Sequence, residues 1–554
     1  MKNYFVSVAL AAIIAISYIL VHDLMANTAT HQGDQHHVEF TSSNLPIIII
    51  NTNGHEIIDE RRTRAWMKVI YNGIGRRNSV SDPANHYDGW IAIELRGSAS
   101  MAYPKKSYRL ETQNSDGTNL NVSLIGMPAE NDWILYGPYD DQSLIRNVLA
   151  YKLSNDIGRY ASRTRFCELV LNNDYRGVYV LMEKIKRDKN RVNIAELDSL
   201  DRSGDAVTGG YIIKFDKVEG ENVAGWWSNR NIFYQYHYPR ADAIVPEQKA
   251  YIRNFMNQFE AAMILPNIAD PINGYPKYID VPSFVDHFIL NEFCKNVDAY
   301  RISNFMYKDR DSRGGRLCEG PIWDFNLSFG KAWYKEDLFR DDEWEVDHNR
   351  YKPNDWPKVP FWWERLGHDP NFASLVEQRW RELRSNVLSL EYVYQTIDQL
   401  VDTLKEARER NFQRWPETAK DHSYDTEILM MKLWINDRVN WIEAHLGQLS
   451  AVWPEQQSPQ PMMPFVLHQN YPNPFNSITM IRYYLDQPAH VRLAIFNIQG
   501  QEVVRLVDEP QSAGNHQMKW DGKDHSGAFV SSGLYLYELQ ANGQRMTKKL
   551  VFVD

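Results

Sequence analysis

Asp298-Ala299-Tyr300-Arg301-Ile302-Ser303-Asn304 and, further on, Pro321-Ile322-Trp323-Asp324-Phe325-Asn326-Leu327-Ser328-Phe329-Gly330 are the two pieces of sequence on which the architecture turns. Before the first, Val281 to Val297 reads as a helix, and Asp298 closes it. Between the two, Phe305 to Lys308 and Leu317 to Trp323 read as strands joined by the turn-rich Asp309 to Gly315. The order is helix, carboxylate, amide, hairpin, carboxylate.

Toward the N-terminus the pattern is mostly strand. Leu45 to Ile50, Trp66 to Tyr71, Trp90 to Arg96, Ser107 to Thr112 and Trp133 to Tyr136 are apolar or alternating runs. Asp141 then reads as an N-cap for a helix reaching about Ile157, with Gly158 as its stop. Arg165 to Leu171 and Gly177 to Glu183 follow as strands, with Asn172, Asn173 and Asp174 as the tight connection.

Toward the C-terminus the pattern turns helical, around Pro246 to Ala262, through Phe372 to Arg414, and over Thr426 to Leu446 with Gly447 beyond. A strand-rich lobe carrying one helix thus precedes a helix-rich lobe. Pro454 to Pro464 is a Pro/Gln/Ser/Met linker. Six short strands follow: Thr479 to Leu485, Val491 to Asn497, Glu502 to Val507, His516 to Trp520, Gly533 to Gln540 and Arg545 to Val553. They predict a small sandwich.

At 554 residues the chain needs more than one core. A net charge of −10 argues against a general nucleic-acid binder, which needs a basic face. Seventeen Trp and 31 Tyr suit a stiffly packed body, and also a carbohydrate-binding surface. Lys2, the apolar run from Phe5 to Val21 and the small Ala26 read as a removable signal peptide. No later run is apolar and long enough to span a bilayer. Cys167, Cys294 and Cys318 are too few for a disulfide framework, although Cys294 and Cys318 are a possible pair.

The expected division is a signal peptide over 1–26, a flexible lead-in over 27–44, a mixed body over 45–450, a linker over 451–465 and an all-β module over 466–554. The fold class is α+β followed by a small Ig-like sandwich.

The chemistry implied is phosphoryl transfer of the protein-kinase type. Such a site asks for a carboxylate beside the acceptor hydroxyl, an amide oxygen as hard metal ligand, and a second carboxylate bridging Mg²⁺ to the phosphates. Asp298, Asn304 and Asp324 occupy those places in chain order. A lysine on an early strand is also required, and Lys106 opens one, with Lys105 as an equally charged neighbour. Glu183, where the chain leaves the last strand of the first lobe, is placed to touch the nucleotide. Taken singly, each of these residues has an ordinary structural explanation; the joint order carries the weight.

These stretches resemble the CotH family of spore-coat kinases, which have an atypical kinase fold. The matching residues are Arg96-Gly97-Ser98, Pro104-Lys105-Lys106-Ser107-Tyr108-Arg109-Leu110, Leu144-Ile145-Arg146-Asn147, Gly177 to Lys184, Asn304 to Tyr307, Pro321 to Gly330 and Leu433 to Arg438. The resemblance implies a two-lobed kinase-like body that uses ATP and Mg²⁺ to phosphorylate Ser/Thr of protein substrates. Asp298 and Lys106 are then catalytic, and Lys106, Arg146 and Glu183 contact the nucleotide. Asn304, Asp324 and Asn326 hold the metal. Many family members carry a second Asp where this chain has Asn326. The amide lacks that charge, which supports the alternative of a non-catalytic surface or adhesion protein.

The C-terminal module resembles type A sorting domains of the type IX secretion system and the related FlgD-type Ig-like domains. The residues are Asn470 to Asn476, Trp520-Asp521-Gly522, Gly533-Leu534-Tyr535 and Lys548-Lys549. Gly533 is expected to allow close strand approach. The resemblance implies a secretion-machinery partner and a secreted or cell-surface location outside a Gram-negative cell.

Overall fold

The computed structural model describes residues 36–59, 61–217, 224–230, 232–331, 342–352, 355, 357–419, 422–449, 465–467, 470, 473–485 and 487–553. The expected signal peptide lies outside them, as do Tyr471-Pro472, the first half of the lead-in and nearly all of the linker. The protein is mixed helix and sheet with an all-β C-terminal region. It divides into two units. The first takes the chain up to Asp140 with Arg163–Lys184 and Gln399–Lys420, and the second takes the rest.

The first unit is built on a closed barrel of seven strands: β1 (Ile47–Asn51), β2 (Thr63–Ile70), β3 (Tyr87–Arg96), β4 (Ser107–Gln113), β5 (Asp132–Tyr136), β6 (Thr164–Leu171) and β7 (Asp174–Glu183). They pair in the order β1-β2-β3-β4-β5-β7-β6, and β1 closes on β6 in parallel, Ile48 opposite Leu169. Closure removes the sheet edges, which alternation in single strands does not reveal. The β6–β7 hairpin is a two-residue turn: Asn172 and Asn173 have φ of 52° and 64° between the paired Leu171 and Asp174. Asparagine tolerates this left-handed backbone, so the Asn-Asn step is the turn signal. Inside the barrel, Ile50, Met67, Ile91, Leu110, Trp133, Leu135, Leu169 and Leu181 are buried in one apolar core. The helix Ala407–Arg414 belongs to this unit, its Asn411 Oδ1 accepting from the Val178 amide at 3.1 Å.

The second unit opens with α1 (Arg146–Asp156). The helix predicted from Asp141 starts later, because Leu144 takes a φ of 62° and Asp141 caps the irregular approach instead, accepting from the Ser143 and Arg146 amides. Although α1 was expected in the strand-rich lobe, it clusters with the second unit. A five-stranded sheet follows in the order β9-β10-β8-β11-β12, from β8 (Tyr211–Phe215), β9 (Gly225–Trp227), β10 (Phe233–Tyr238), β11 (Asn304–Lys308) and β12 (Leu317–Glu319). Strand β12 stops short of the predicted Trp323. Gly320 has a φ of 101° and Pro321 lacks an amide hydrogen, so the ladder cannot continue. Two further helices matter here: α2 (Val281–Cys294), capped by Asp280, and α3 (Tyr424–His445). Cys167, Cys294 and Cys318 are all free thiols, so the possible pair is not formed.

The C-terminal region has its own core and seven strands: β13 (Phe465–Leu467), β14 (Thr479–Leu485), β15 (Ala489–Phe496), β16 (Glu502–Gln511), β17 (Gly514–Trp520), β18 (Gly533–Ala541) and β19 (Gln544–Phe552). They form the sheets β13-β14-β17 and β16-β15-β18-β19. The short β13 is too brief to read from alternation. Asn473 Oδ1 accepts from the Val551 amide at 2.7 Å, tying the Asn-Pro-rich entry to the last strand. A Cβ on Gly533 would meet nothing within 4 Å, contrary to expectation; the close approach is at Gly522, where a Cβ would lie 2.7 Å from the Phe552 ring.

Candidate functional site

The stretch Trp323 to Gly330 is a loop fastened at several points within the second unit. Asp324 has a φ of 64°, a backbone state unusual for a non-glycine residue. Its amide donates to the Tyr151 hydroxyl at 3.0 Å, and the Phe325 amide donates to Asn147 Oδ1 at 2.6 Å. Both partners lie on α1, and the Tyr151 ring stacks on Trp323. Phe325 and Phe329 are buried while Asp324 and Asn326 are partly exposed. Buried rings therefore anchor the loop and leave two oxygen-bearing side chains accessible. At its end, Gly330 has a φ of 77°, and a Cβ there would come within 2.7 Å of the Trp434 ring on α3.

Arg146, expected to touch the nucleotide, sits in a buried ion cluster. It is 3% exposed, and its guanidinium donates to Asp141 at 2.6 Å, pairs with Glu427 of α3 at 2.8 Å and reaches the Ser328 carbonyl at 2.9 Å. Burial by itself would raise the Glu427 carboxyl, but Arg146, His422 and Lys331 outweigh it and hold the group well below the usual carboxylate range. This buried ion cluster joins α1, α3 and the loop.

The second carboxylate arrives from α2. That helix ends at Cys294, Lys295 turns left-handed with a φ of 44°, and the chain then runs beside the fastened loop. The Val297 amide donates to the Leu327 carbonyl at 3.3 Å, and the Phe329 amide donates to the Cys294 carbonyl at 2.8 Å. Asp298 and Asn326 are the immediate neighbours of the residues in the first of these bonds. Asp298 is partly exposed and lies 3.6 Å from the buried Arg301 guanidinium.

Asn304 departs from expectation. It is buried at 4% exposure, and its amide nitrogen donates to Glu319 Oε2 at 3.1 Å. Burial pushes Glu319 up to about 8, with the Asn304 hydrogen bond opposing, and pushes His287 down to about 3, again with Asn304 opposing. Both shifts favour the neutral forms, and the Asn304 amide is engaged in this interior cluster. Of the residues expected to hold the metal, Asp324 and Asn326 are partly exposed and offer side-chain oxygens that suit a hard cation. Mg²⁺ takes few protein ligands and keeps waters, and this donor set is of that kind. Among the described residues, no group of three or more His, Cys, Asp or Glu side chains forms a metal cluster.

The remaining predicted residues lie in the first unit. Lys105 is 1% exposed, its ammonium donating to Asn411 Oδ1 at 2.7 Å, and burial lowers its pKa well below the lysine range. Lys106 is partly exposed, donates to the Met101 carbonyl at 2.5 Å, and is lowered by partial desolvation. Strand phase thus leaves Lys106 as the accessible one. Glu183 is fully buried and paired with Arg163 at 2.8 Å, so a nucleotide contact from its carboxylate is not supported. Tyr151, Asn147, Glu427 and Trp434, which hold the loop, carried no assigned role in the sequence; the Leu144 to Asn147 and Leu433 to Arg438 matches cover Asn147 and Trp434, and no matched stretch covers Tyr151 or Glu427.

The second unit thus brings the turn that carries Asp298 alongside the loop that carries Asp324 and Asn326. The chain belongs to the CotH kinase protein family, whose model matches residues 93–442, more than half of its length. The FlgD Ig-like domain model matches residues 476–545. No curated protein matches the chain. Among solved structures, dimeric latent PorU from Porphyromonas gingivalis is 22% identical over 18% of this chain and 10% of that one, with a TM-score of 0.16. FlgD from P. aeruginosa is 26% identical over 13% of this chain and 61% of that one, with a TM-score of 0.12. The alkylpurine DNA glycosylase AlkC of Pseudomonas fluorescens, bound to DNA with an abasic site analog, is 14% identical over 39% and 67%, with a TM-score of 0.14. At such TM-scores the likenesses do not extend to the fold of the whole chain, which spans less than two thirds of the first two proteins.

Proposed function

We propose that this protein is an exported protein kinase that transfers the ATP γ-phosphate to Ser/Thr of protein substrates at or beyond the cell surface. The observation that carries it is the hydrogen bond from Val297 to Leu327, which sets Asp298 alongside the Asp324-Phe325-Asn326 loop. Family membership, which implies ATP use, supports the same reading. Asp324 and Asn326 would hold Mg²⁺, which when bound supplies charge neutralisation for the phosphates. Asp298 orients the acceptor hydroxyl and takes up its proton. Lys106 is the cation assigned to the phosphates. In this proposal the barrel and the helix-rich unit stand for the two lobes of an atypical kinase. The Ig-like module is read as the sorting or anchoring segment that engages type IX secretion machinery.

The second reading, a surface protein that keeps the fold without turnover, draws on Asn326 and on the inward-turned Asn304. The test is incubation of the purified full chain with Mg²⁺ and ATP beside Ser/Thr acceptors, read by intact mass. Phosphate addition that is absent in Asp298→Asn supports the kinase; its absence in both, with ATP bound, leaves the second reading.

A further inference from the structure

We propose that Arg301 is the positioning residue of the Asp298 turn: it aims the carboxylate at the acceptor hydroxyl while touching neither acceptor nor nucleotide. What the carboxylate acts on rests on the kinase reading; the fixing of the turn stands on geometry alone.

The turn from Asp298 to Ser303 holds an unfavourable backbone. Tyr300 has a φ of 66° and Ser303 a φ of 52°, so two non-glycine residues of one turn are left-handed. Such backbone persists only where its surroundings over-determine it, and it gathers where a side chain must be aimed. On one side the constraint comes from Tyr300. Its buried hydroxyl donates to Glu292 Oε1 at 2.9 Å, and its ring centroid lies 4.6 Å from that of Trp363.

Arg301 closes the other side. It is 4% exposed, and its Nη2 and Nε donate to the Val297 carbonyl at 2.8 and 3.3 Å, while Nη1 reaches the Pro357 carbonyl at 3.4 Å. The Val297 carbonyl belongs to the peptide that joins Val297 to Asp298. The carbonyl of Asp298 itself accepts from the Arg301 and Ile302 amides at 3.3 and 3.1 Å. Arg301 therefore takes part in pinning the peptides on both sides of Asp298, which sets the direction in which that side chain leaves the backbone. The Val297 amide is meanwhile held by Leu327, so the same residue is tied to the Asp324 loop.

Charge adds to placement. A buried guanidinium needs an anionic partner, and among the described residues Asp298, at 3.6 Å, is the carboxylate with which Arg301 pairs. That separation exceeds hydrogen-bond length, so Arg301 attracts the carboxylate without donating to it. A planar fork can meet the carbonyl and face the carboxylate together, which a single ammonium cannot.

The experiment compares full-length wild type, Arg301→Gln and Arg301→Lys. It reads hydrogen exchange over 297–304, Mg²⁺-dependent ATP binding by calorimetry, and phosphate transfer to a Ser-containing peptide resolved into kcat and both KM values. Arg301→Gln should speed exchange over 297–304 while sparing α2 and β12. It should lower kcat by about 10²-fold, as a small misplacement of a reacting group does, with ATP affinity and ATP KM unchanged. Arg301→Lys should recover part of the lost kcat, because the charge returns without the fork. Wild-type kcat in Arg301→Gln, equal kcat in the two variants, or a parallel loss of ATP affinity overturns the proposal. If Arg301→Gln does not fold, Arg301→Lys carries the comparison: a lower kcat at unchanged ATP affinity upholds the assignment, and an unchanged kcat overturns it. If wild type transfers no phosphate, exchange decides. Faster exchange confined to 297–304 upholds the fixed turn and removes only the kinase reading, whereas unchanged exchange overturns the proposal.

Discussion

Val297 and Leu327 are joined by a 3.3 Å backbone hydrogen bond across thirty positions of sequence, and the two side chains pack on one another. Everything proposed about the site depends on this bond, because it carries Asp298 from the end of α2 to the loop that α1 and α3 hold.

The two carboxylates should fail differently. Asp324→Asn removes charge where Mg²⁺ is proposed to sit, so Mg²⁺-dependent nucleotide binding should drop sharply. Asp298→Asn should spare that binding and lower phosphate transfer by about 10²-fold or more, as loss of an acid–base group does. Calorimetry with Mg²⁺ and ATP on both variants checks the split; equal nucleotide affinity in wild type and Asp324→Asn contradicts it.

The Arg146–Glu427 cluster should dominate acid sensitivity of the second unit. Removing one member, as in Glu427→Gln, leaves Arg146 with Asp141 as its remaining carboxylate and should cost about 1.5–3 kcal/mol. Because the folded Glu427 carboxyl lies below its unfolded value, its stabilisation is complete above the unfolded pKa of roughly 4.3. It is lost as pH falls toward the folded value. Urea unfolding from pH 7 to 3 should show a steeper decline in wild type than in Glu427→Gln; parallel declines would refute the assignment.

Lys105 shares the direction of the pH slope but costs stability at neutral pH. Burial sets its folded pKa below the unfolded value of roughly 10.4, so the unfolded chain binds the proton more readily. Stability should therefore rise as pH climbs toward that unfolded value. Lys105→Met should raise stability at neutral pH and flatten the slope, since Asn411 keeps its bond from the Val178 amide. A destabilised Lys105→Met with an unchanged slope would show that the ammonium is better compensated than its surroundings indicate.

Much of this was legible in the sequence, and the boundary is physical. The Asn172-Asn173 turn, the Pro246–Ala262 helix and the strands around Trp133 and Leu181 follow from local periodicity and turn chemistry. Barrel closure, the transfer of α1 to the second unit and the inward turn of Asn304 depend on partners far along the chain. Arg146 is the clearest case: a conspicuous arginine in a matched motif suggests a phosphate, while the structure pairs it with Asp141, which the sequence offered only as a helix cap, and with Glu427, 281 positions later. Lys106 over Lys105 was undecided from sequence because one residue of strand phase separates burial from exposure.

Gly330 offers a local test of the loop. An alanine there meets the Trp434 ring at 2.7 Å in left-handed backbone, which alone costs about 1–2 kcal/mol. Gly330→Ala should weaken nucleotide binding while leaving the C-terminal sandwich folded, as judged by proteolysis and near-UV circular dichroism. Unaltered nucleotide affinity would separate the loop from the site.

The central claim, that the Asp298–Asp324 site performs phosphoryl transfer, is tested most directly by phosphate incorporation into a Ser/Thr acceptor across a Mg²⁺ titration, comparing wild type with Asn326→Asp. A carboxylate at 326 restores charge next to the cation, and hard cations bind more tightly as ligand charge rises. The expected result is incorporation by wild type and a higher level in Asn326→Asp at limiting Mg²⁺. No incorporation by either protein, with both folded and ATP bound, would contradict the account.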